Sequence, residues 1–467
     1  MRLLVPVTAA LLFVALQPLQ AREAPAHPSN IPASGIIGVD DAMLDPAFWV
    51  RRLPDADRVV LDRDAIAAQN ERLRRQDRSI HDLDALPATL ERKRVAGWIE
   101  GLSKRPSKPL YDEQGKPVPA ATLDDIVAGI NLGAIPAQQS TRHGLVVHRA
   151  DLRTFPTRLR VFSSSGDHDI DRFQESGLFP GDAVVIAHES RDGQWWFVVS
   201  SRYAAWVEKR HVAEGTAEQV AGYARKAPYR IVTGATAHTL YTPEEPGVSE
   251  VQLDMGVRVP VLADWPADKP VNGQHPYTSH VIELPVRNAD GSLRFAPALL
   301  PRREASADQY LDLSQRHLIE QGFRFLGERY GWGHSYNGRD CSGFVSEVYR
   351  SMGVELPRNT SDQAVSPALN RIALGEHDSR ERRQAVAREL QVGDLVYIPG
   401  HVMMVIGQVD GAPYVIHDTT GLSYLGRDGR MARAKTNGVT VSPLLPLMFN
   451  ATQTYIDRAT NIQRIRP

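Results

Sequence analysis

RYGWGHSYNGRDCSGFVSEVYRSMG, residues 329–353, holds Cys341, the one cysteine in a chain of 467 residues. Behind it Phe344, Val345, Val348, Tyr349 and Met352 recur at helical spacing, and Gly353 closes the run. The pattern predicts an amphipathic helix whose first turn carries Cys341 and whose N-cap is Asp340. Unpaired N–H groups and the positive dipole end at a helix start lower a thiol's pKa, so a reactive thiolate is expected. Gly343 is expected to leave room beside the sulfur for a substrate backbone.

Working outward toward the C-terminus, DLVYIP, HVMMVIGQV and YVIHDT read as three strands in succession. His401 opens the second, just after Pro399-Gly400, and His417 ends the core of the third. The short link through GQVDGAP predicts an antiparallel pair that brings the two histidines near one end of a sheet. A thiol nucleophile needs a base, and the base needs an orienting partner. Either histidine alone reads as structural; with a thiol at a helix start they read as base (His401) and orienter (His417). Asp394 reads as a turn residue before its strand. The charged DSRERRQAVAREL reads as a surface helix, and ADQYLDLSQRHLIEQGFRFLGERYGWG as a longer helical run with Tyr310, Leu311, Leu318, Ile319, Phe323 and Leu326 on one side.

Toward the N-terminus the texture changes twice. Two blocks of short strands between Gly, Asp and Ser turns, residues 143–213 and 228–303, read as two small β-barrels in tandem. Asp290-Gly291 marks a hairpin in the second. In the first, alternation through Trp195-Trp196 puts one indole in the core and one outside. Residues 45–142 read as a mainly helical region, with a helical run across DADRVVLDRDAIAAQNERLRRQ and another capped at Thr122, and residues 22–44 read as a Pro/Ala/Ser linker. Residues 1–21 have one basic residue, then an apolar run too short to span a bilayer, then Ala21; they read as a secretory signal peptide cut after Ala21. That places the protein in the periplasm or outside the cell, with no membrane partner after cleavage. The fold class is therefore multidomain α+β: a helical region, two barrels and a C-terminal α+β domain over 308–467.

Composition narrows the chemistry. A formal net charge of -1 gives no electrostatic case for nucleic acid. The fifteen histidines are scattered without H-E-x-x-H spacing, and no phosphate loop occurs, so neither a metal nor a cofactor is expected. An exported chain with an odd cysteine keeps it as a reactive thiol more readily than as a disulfide partner.

DCSGFVSEVYRSMGVELPRNTSDQ, LQVGDLVYIPGHVMMVIG and YVIHDT, in that order, resemble the NlpC/p60 cell-wall cysteine peptidases, relatives of papain. The family pattern is an Asp-Cys-Ser-Gly nucleophile, a Gly-Asp-Leu strand before a Gly-His, and a third polar residue on the next strand. A helical region, two bacterial SH3-like barrels and a C-terminal peptidase is also an arrangement seen in exported members. The resemblance implies hydrolysis of the γ-D-glutamyl-diaminopimelate bond of peptidoglycan stem peptides. Cys341 then matches the nucleophile, His401 the base, His417 the orienting residue and Tyr330 an active-site tyrosine beside the oxyanion hole. Members with these barrels select a free N-terminal L-Ala, which implies a substrate-binding set of Asp340, Ser342 and Thr360 with Tyr203 and Glu175 from the first barrel. This chain departs from the pattern at His334, where a small residue is common, and at Arg339, expected either to pair with Asp340 or to meet a substrate carboxylate. Two rival readings are a non-catalytic peptidoglycan-binding scaffold and a cysteine amidase or acyltransferase acting on another bond.

Overall fold

The computed structural model describes residues 36–426 and 428–466. The expected signal peptide and most of the linker lie outside the described residues. No helix among the described residues is long and apolar enough to cross a membrane.

The helical region has no core of its own. Its first half, α1 (Pro46–Val50) and α2 (Arg63–Gln76), buries Phe48, Trp49 and Ile66 in the core of the C-terminal unit with Leu318 and Phe344. Its second half, α3 (Arg92–Leu102) and α4 (Ala120–Gly129), places Val95, Ile99 and Leu123 against Phe155, Phe197 and Trp206 of the first barrel. Two expected helix starts move. Val59–Leu61 pairs as a strand with Leu313–Ser314, as β-branched residues favour, and α2 begins only after Asp62, whose side chain accepts from Ala65 N at 2.8 Å. The other helix begins at Ala120 behind an extended Pro119, so Thr122 lies inside its first turn and caps nothing.

The first barrel is one antiparallel sheet in the order Val212–Gly215, Arg142–Val146, Ala183–Glu189, Trp195–Ser200, Ala204–Glu208, Ala150–Arg153, Gln174–Leu178. Both faces of its Trp195–Ser200 strand are covered. Trp195 joins the cluster shared with α3 and α4, and Trp196 joins Leu152, Val184 and Val198 on the other face. Neither indole is exposed, because the helical region packs over the face that alternation assigned to solvent.

A capping box at Thr216 and Gln219 starts α5 (Ala217–Arg225), which leads into the second β module. There Tyr229–Val232 lies between Arg258–Pro260 and Ser306–Ala307, and Ser279–Arg287 pairs with Leu293–Pro301 through a turn in which Gly291 has φ +93. In the C-terminal unit, α6 (Gln315–Phe323) starts at an N-cap Ser314, so Tyr310 and Leu311 precede it in extended chain. Helix α7 (Cys341–Arg350) follows, then α8 (Thr360–Val365) and α9 (Arg380–Arg388). The antiparallel sheet runs Asn370–Ala373, Asn461–Arg464, Leu395–Ile398, His401–Val409, Ala412–Thr419, Gly438–Pro443. The apolar stripe of α7 is buried in the same core as Val402, Met404 and Ile416. At about 1.5–3 kcal/mol per fully buried side chain, that stripe fixes where its first turn points.

Candidate active site

Helix α7 presents Cys341 as its first residue. Asp340 is extended (φ -98, ψ 177); its Oδ1 accepts from Gly343 N at 2.8 Å, and its Oδ2 accepts from Gly333 N at 3.0 Å. The thiol is buried, 3.6 Å from Thr360 Oγ1 on α8 and against the main chain at Val402. Burial, and then the Asp340 charge, push its pKa up to about 12. This overturns the expected thiolate. The capping carboxylate both occupies a helix-start N–H and sets a negative charge where the dipole is positive, while burial disfavours the ion.

The histidines meet through sheet register. Met404 pairs with Ile416 and His417 pairs with Thr440, which sets His401 and His417 diagonally on one face. His401 Nε2 lies 2.7 Å from His417 Nδ1, and His417 Nε2 lies 3.0 Å from Ser442 Oγ. Burial lowers His401 to about 4; burial and then His401 put His417 well below the ordinary range. Both rings are neutral at pH 7. Among the described residues no hydrogen bond joins Cys341 Sγ to a histidine, and His401 Nδ1 is the nitrogen left for one. Ser442, fully buried, went unread in the sequence: "VSP" carries no motif, and only the pairing of Gly438–Pro443 with Ala412–Thr419 brings it to His417. Tyr330 is buried close by, and its phenol is raised well above its ordinary range by burial and then by Cys341.

The first barrel closes the cleft. Glu175, Tyr203, Asp340, Cys341, Ser342 and Thr360 line one cavity of about 560 Å³. Tyr203 OH donates to Glu175 Oε2, and Thr154 Oγ1 donates to Glu175 Oε1. Burial and then Glu175 hold the Tyr203 phenol above its ordinary range. Across the cleft, Arg358 pairs with Asp340 (Nη2–Oδ2 2.7 Å, Nη1–Oδ1 3.1 Å) and also donates to Ser342 Oγ at 2.9 Å and Ser176 Oγ at 2.7 Å. Burial pushes the Asp340 carboxyl up, but Arg358 outweighs it and Asp340 falls to about 2.

Of the two departures from the family pattern, Arg339 lies elsewhere than expected. Arg339 faces neither Asp340 nor the cleft. It is 0% exposed and reaches Glu347 (Nε, 2.7 Å), Glu328 (Nη1, 2.7 Å) and Asp254 of the second β module (Nη2, 2.8 Å). A buried guanidinium needs carboxylates, and three outbid one already held by Arg358. His334 is buried in the left-handed region (φ +68), with Nε2 3.0 Å from Glu347 Oε1 and Nδ1 3.2 Å from Arg358 Nη2. Arginine donates only, so Nδ1 accepts and Nε2–H donates to Glu347. A Cβ on Gly343 would lie 2.7 Å from His334 Cε1. The space at Gly343 is therefore filled by His334, not open to substrate, and His334 stands behind the nucleophile without narrowing the cleft.

Residues 327–454 match the NlpC/P60 family, and residues 160–208 match the SH3 domain of SH3b1 type. The chain carries an NlpC/P60 domain. The NlpC/P60 span contains Tyr330, Asp340, Cys341, Ser342, Thr360, His401, His417 and Ser442, and the SH3 span contains Glu175 and Tyr203. A γ-D-glutamyl-L-lysine dipeptidyl-peptidase of Bacillus cereus is 27% identical over 217 residues, 44% of this chain and 54% of that one. The chain thus spans about half the length of the curated relative it matches. The structure of an NlpC/P60 endopeptidase of Photobacterium damselae subsp. piscicida superposes with a TM-score of 0.72 at 17% identity, over 90% of this chain and 96% of that one. That likeness shows that the arrangement around the NlpC/P60 domain recurs as a fold. An NlpC/P60 family protein of Bacillus cereus gives a TM-score of 0.44 at 22% identity, over 70% and 100% of the two chains.

Proposed function

We propose that the protein is an exported cysteine peptidase that hydrolyses the γ-D-glutamyl-diaminopimelate bond of peptidoglycan stem peptides carrying a free N-terminal L-Ala. The observation that carries this reading is the meeting of Glu175 and Tyr203, from the first barrel, with Asp340 and Cys341 in one cleft. The apolar N-terminal stretch supports export to the periplasm or beyond.

Cys341 begins as a neutral thiol and His401 as a neutral base, so attack and proton transfer go together: Sγ bonds to the amide carbon as its proton passes to His401 Nδ1. The Cys341 backbone N–H and Tyr330 receive the oxyanion. His401 then gives its proton to the departing amine as the C–N bond breaks, and water, deprotonated by His401, releases the acyl group from sulfur.

The relay behind His401 decides whether Nδ1 can accept. If His417 Nε2–H donates to Ser442 Oγ, His417 Nδ1 accepts from His401 Nε2–H, and His401 Nδ1 is a lone pair. If Ser442 donates instead, every proton shifts one place and Nδ1 is blocked. Ser442 is thus a positioning residue for the base. For the substrate's ammonium group, Glu175 supplies the uncompensated charge. Its hydrogen-bond partners among the described residues are neutral hydroxyls, whereas Asp340 is already paired with Arg358.

Mass spectrometry of a free tripeptide, a free tetrapeptide and intact sacculi after incubation with the protein tests the reading. Expected is release of L-Ala-γ-D-Glu by the wild type and none by Cys341→Ala. Binding to sacculi without cleavage, or cleavage of a different bond, overturns it.

A further inference from the structure

Tyr203 and Arg358 line a second cavity as well, of about 360 Å³, on the far side of the wall they form beside the catalytic cleft. Its charged walls come from three units: the hairpin at Arg202 and the loop at Asp182 in the first barrel, Arg258 of the second β module, and Arg350 and Glu355 of the C-terminal unit; Leu83, and Tyr223 of α5, complete the lining.

The charges here do not cancel. Arg358 is taken by Asp340 at 2.7 Å, Arg350 by Asp182 at 3.2 Å, and Glu355 faces Arg74 at 3.7 Å. Arg202 and Arg258 make no direct ion pair with a described carboxylate, although Asp182 and Glu355 lie near enough to Arg202 to act on its charge. Arg258 donates to the Lys226 carbonyl and lies 4.0 Å over the Tyr229 ring, neither of which carries a formal negative charge. The Arg202 guanidinium makes no hydrogen bond to any described residue. Arg350 Nη1 is buried and likewise has no acceptor. Burial, and then Arg350, bring Arg202 down to about 10, outweighing the opposite pull of Asp182 and Glu355. Buried polar groups in folded proteins are satisfied, and one buried donor, Arg350 Nη1, with the part-buried Arg202 guanidinium beside it on the same cavity, offers a ligand's oxygens two unpaired partners. The volume falls in the range of small-molecule sites.

We propose that this cavity binds a small dianion of carboxylate or phosphate type, held by Arg202 and Arg350 Nη1, with Arg258 supplying the second balancing charge. Two guanidinium groups without a direct ion pair match two negative charges, and planar forks match both carboxylate and phosphate oxygens. A ligand there touches all three units at once, so it also fastens the barrel against the peptidase unit. The site shares no step with the proposed hydrolysis and stands or falls separately from it.

The test titrates the full chain with inorganic phosphate and, in parallel, with succinate. Calorimetry and melting temperature are followed, with chloride at matched ionic strength as the control. Saturable binding of either anion is expected, weakened about ten-fold or more in Arg202→Gln, as the loss of charge-assisted hydrogen bonds implies, and partly kept in Arg202→Lys. The tighter of the two anions identifies the source as phosphate or carboxylate. Arg350→Gln should weaken it similarly; should that buried variant fail to fold, the Arg202 pair decides alone. Heats and melting temperatures that follow ionic strength only, or wild-type affinity in a folded Arg202→Gln, overturn the proposal.

Discussion

Replacing Ser442 by alanine removes one oxygen, and its effect follows from the relay. In the productive arrangement His417 Nε2–H points at Ser442 Oγ, 3.0 Å away in a fully buried place. Without that oxygen the buried donor has no acceptor, a loss of about 1–3 kcal/mol. The unproductive arrangement leaves only a bare ring nitrogen at the same spot, which costs less, so most of the difference falls on the balance between the two tautomers. A shift of about 1.4 kcal/mol is ten-fold in population. The expected fall in kcat is therefore about 5- to 100-fold, with KM nearly unchanged because Ser442 is remote from the substrate cleft. Two measurements check it: steady-state rates on a free murein tripeptide, and 15N NMR of the imidazoles, which distinguishes Nδ1–H from Nε2–H. Ser442→Thr keeps the hydroxyl and should restore both the rate and the spectrum. A folded Ser442→Ala with wild-type kcat, or an unchanged His401 tautomer at reduced rate, refutes the relay.

Four further expectations bear on charge. Acetylating the substrate's L-Ala should lower kcat/KM about ten- to hundred-fold, the worth of a charge-assisted contact. Glu175→Gln should cause a similar drop on the free peptide and almost none on the blocked one; equal losses on both would remove Glu175 from amine recognition. Arg339→Met leaves Glu347 buried without its cation and Asp254 with Arg149 alone, 3.4 Å away, and should cost about 3–5 kcal/mol in a urea titration. Asp418, 0% exposed with both oxygens unpartnered among the described residues, is held well above its ordinary 3.8 by burial and then by Glu328. Its native form keeps a proton that the unfolded chain loses near 3.8, so this contribution is complete at low pH and declines as pH rises toward the folded pKa. Asp418→Asn should flatten the fall in urea midpoint as pH rises above 3.8; parallel curves for the two proteins would show that Asp418 titrates normally.

By itself the sequence determined what short-range pattern can carry. Cys341 at the first turn of a striped helix, Asp340 as its cap and two antiparallel strands beginning or ending in histidine all rest on spacings of a few residues, where backbone geometry leaves little choice. What the tertiary structure alone decided depends on partners distant in the chain. Arg339 took Asp254, eighty-five positions away, and ceded Asp340 to Arg358. His334 came to fill the space of Gly343, and Ser442 came to His417 through strand register. The helical region gave its halves to two different cores, since an apolar stripe specifies that it must be buried but not against what. The thiol's protonation turned the same way. A helix start favours a thiolate, and only the depth of burial and the placement of one carboxylate make this thiol neutral.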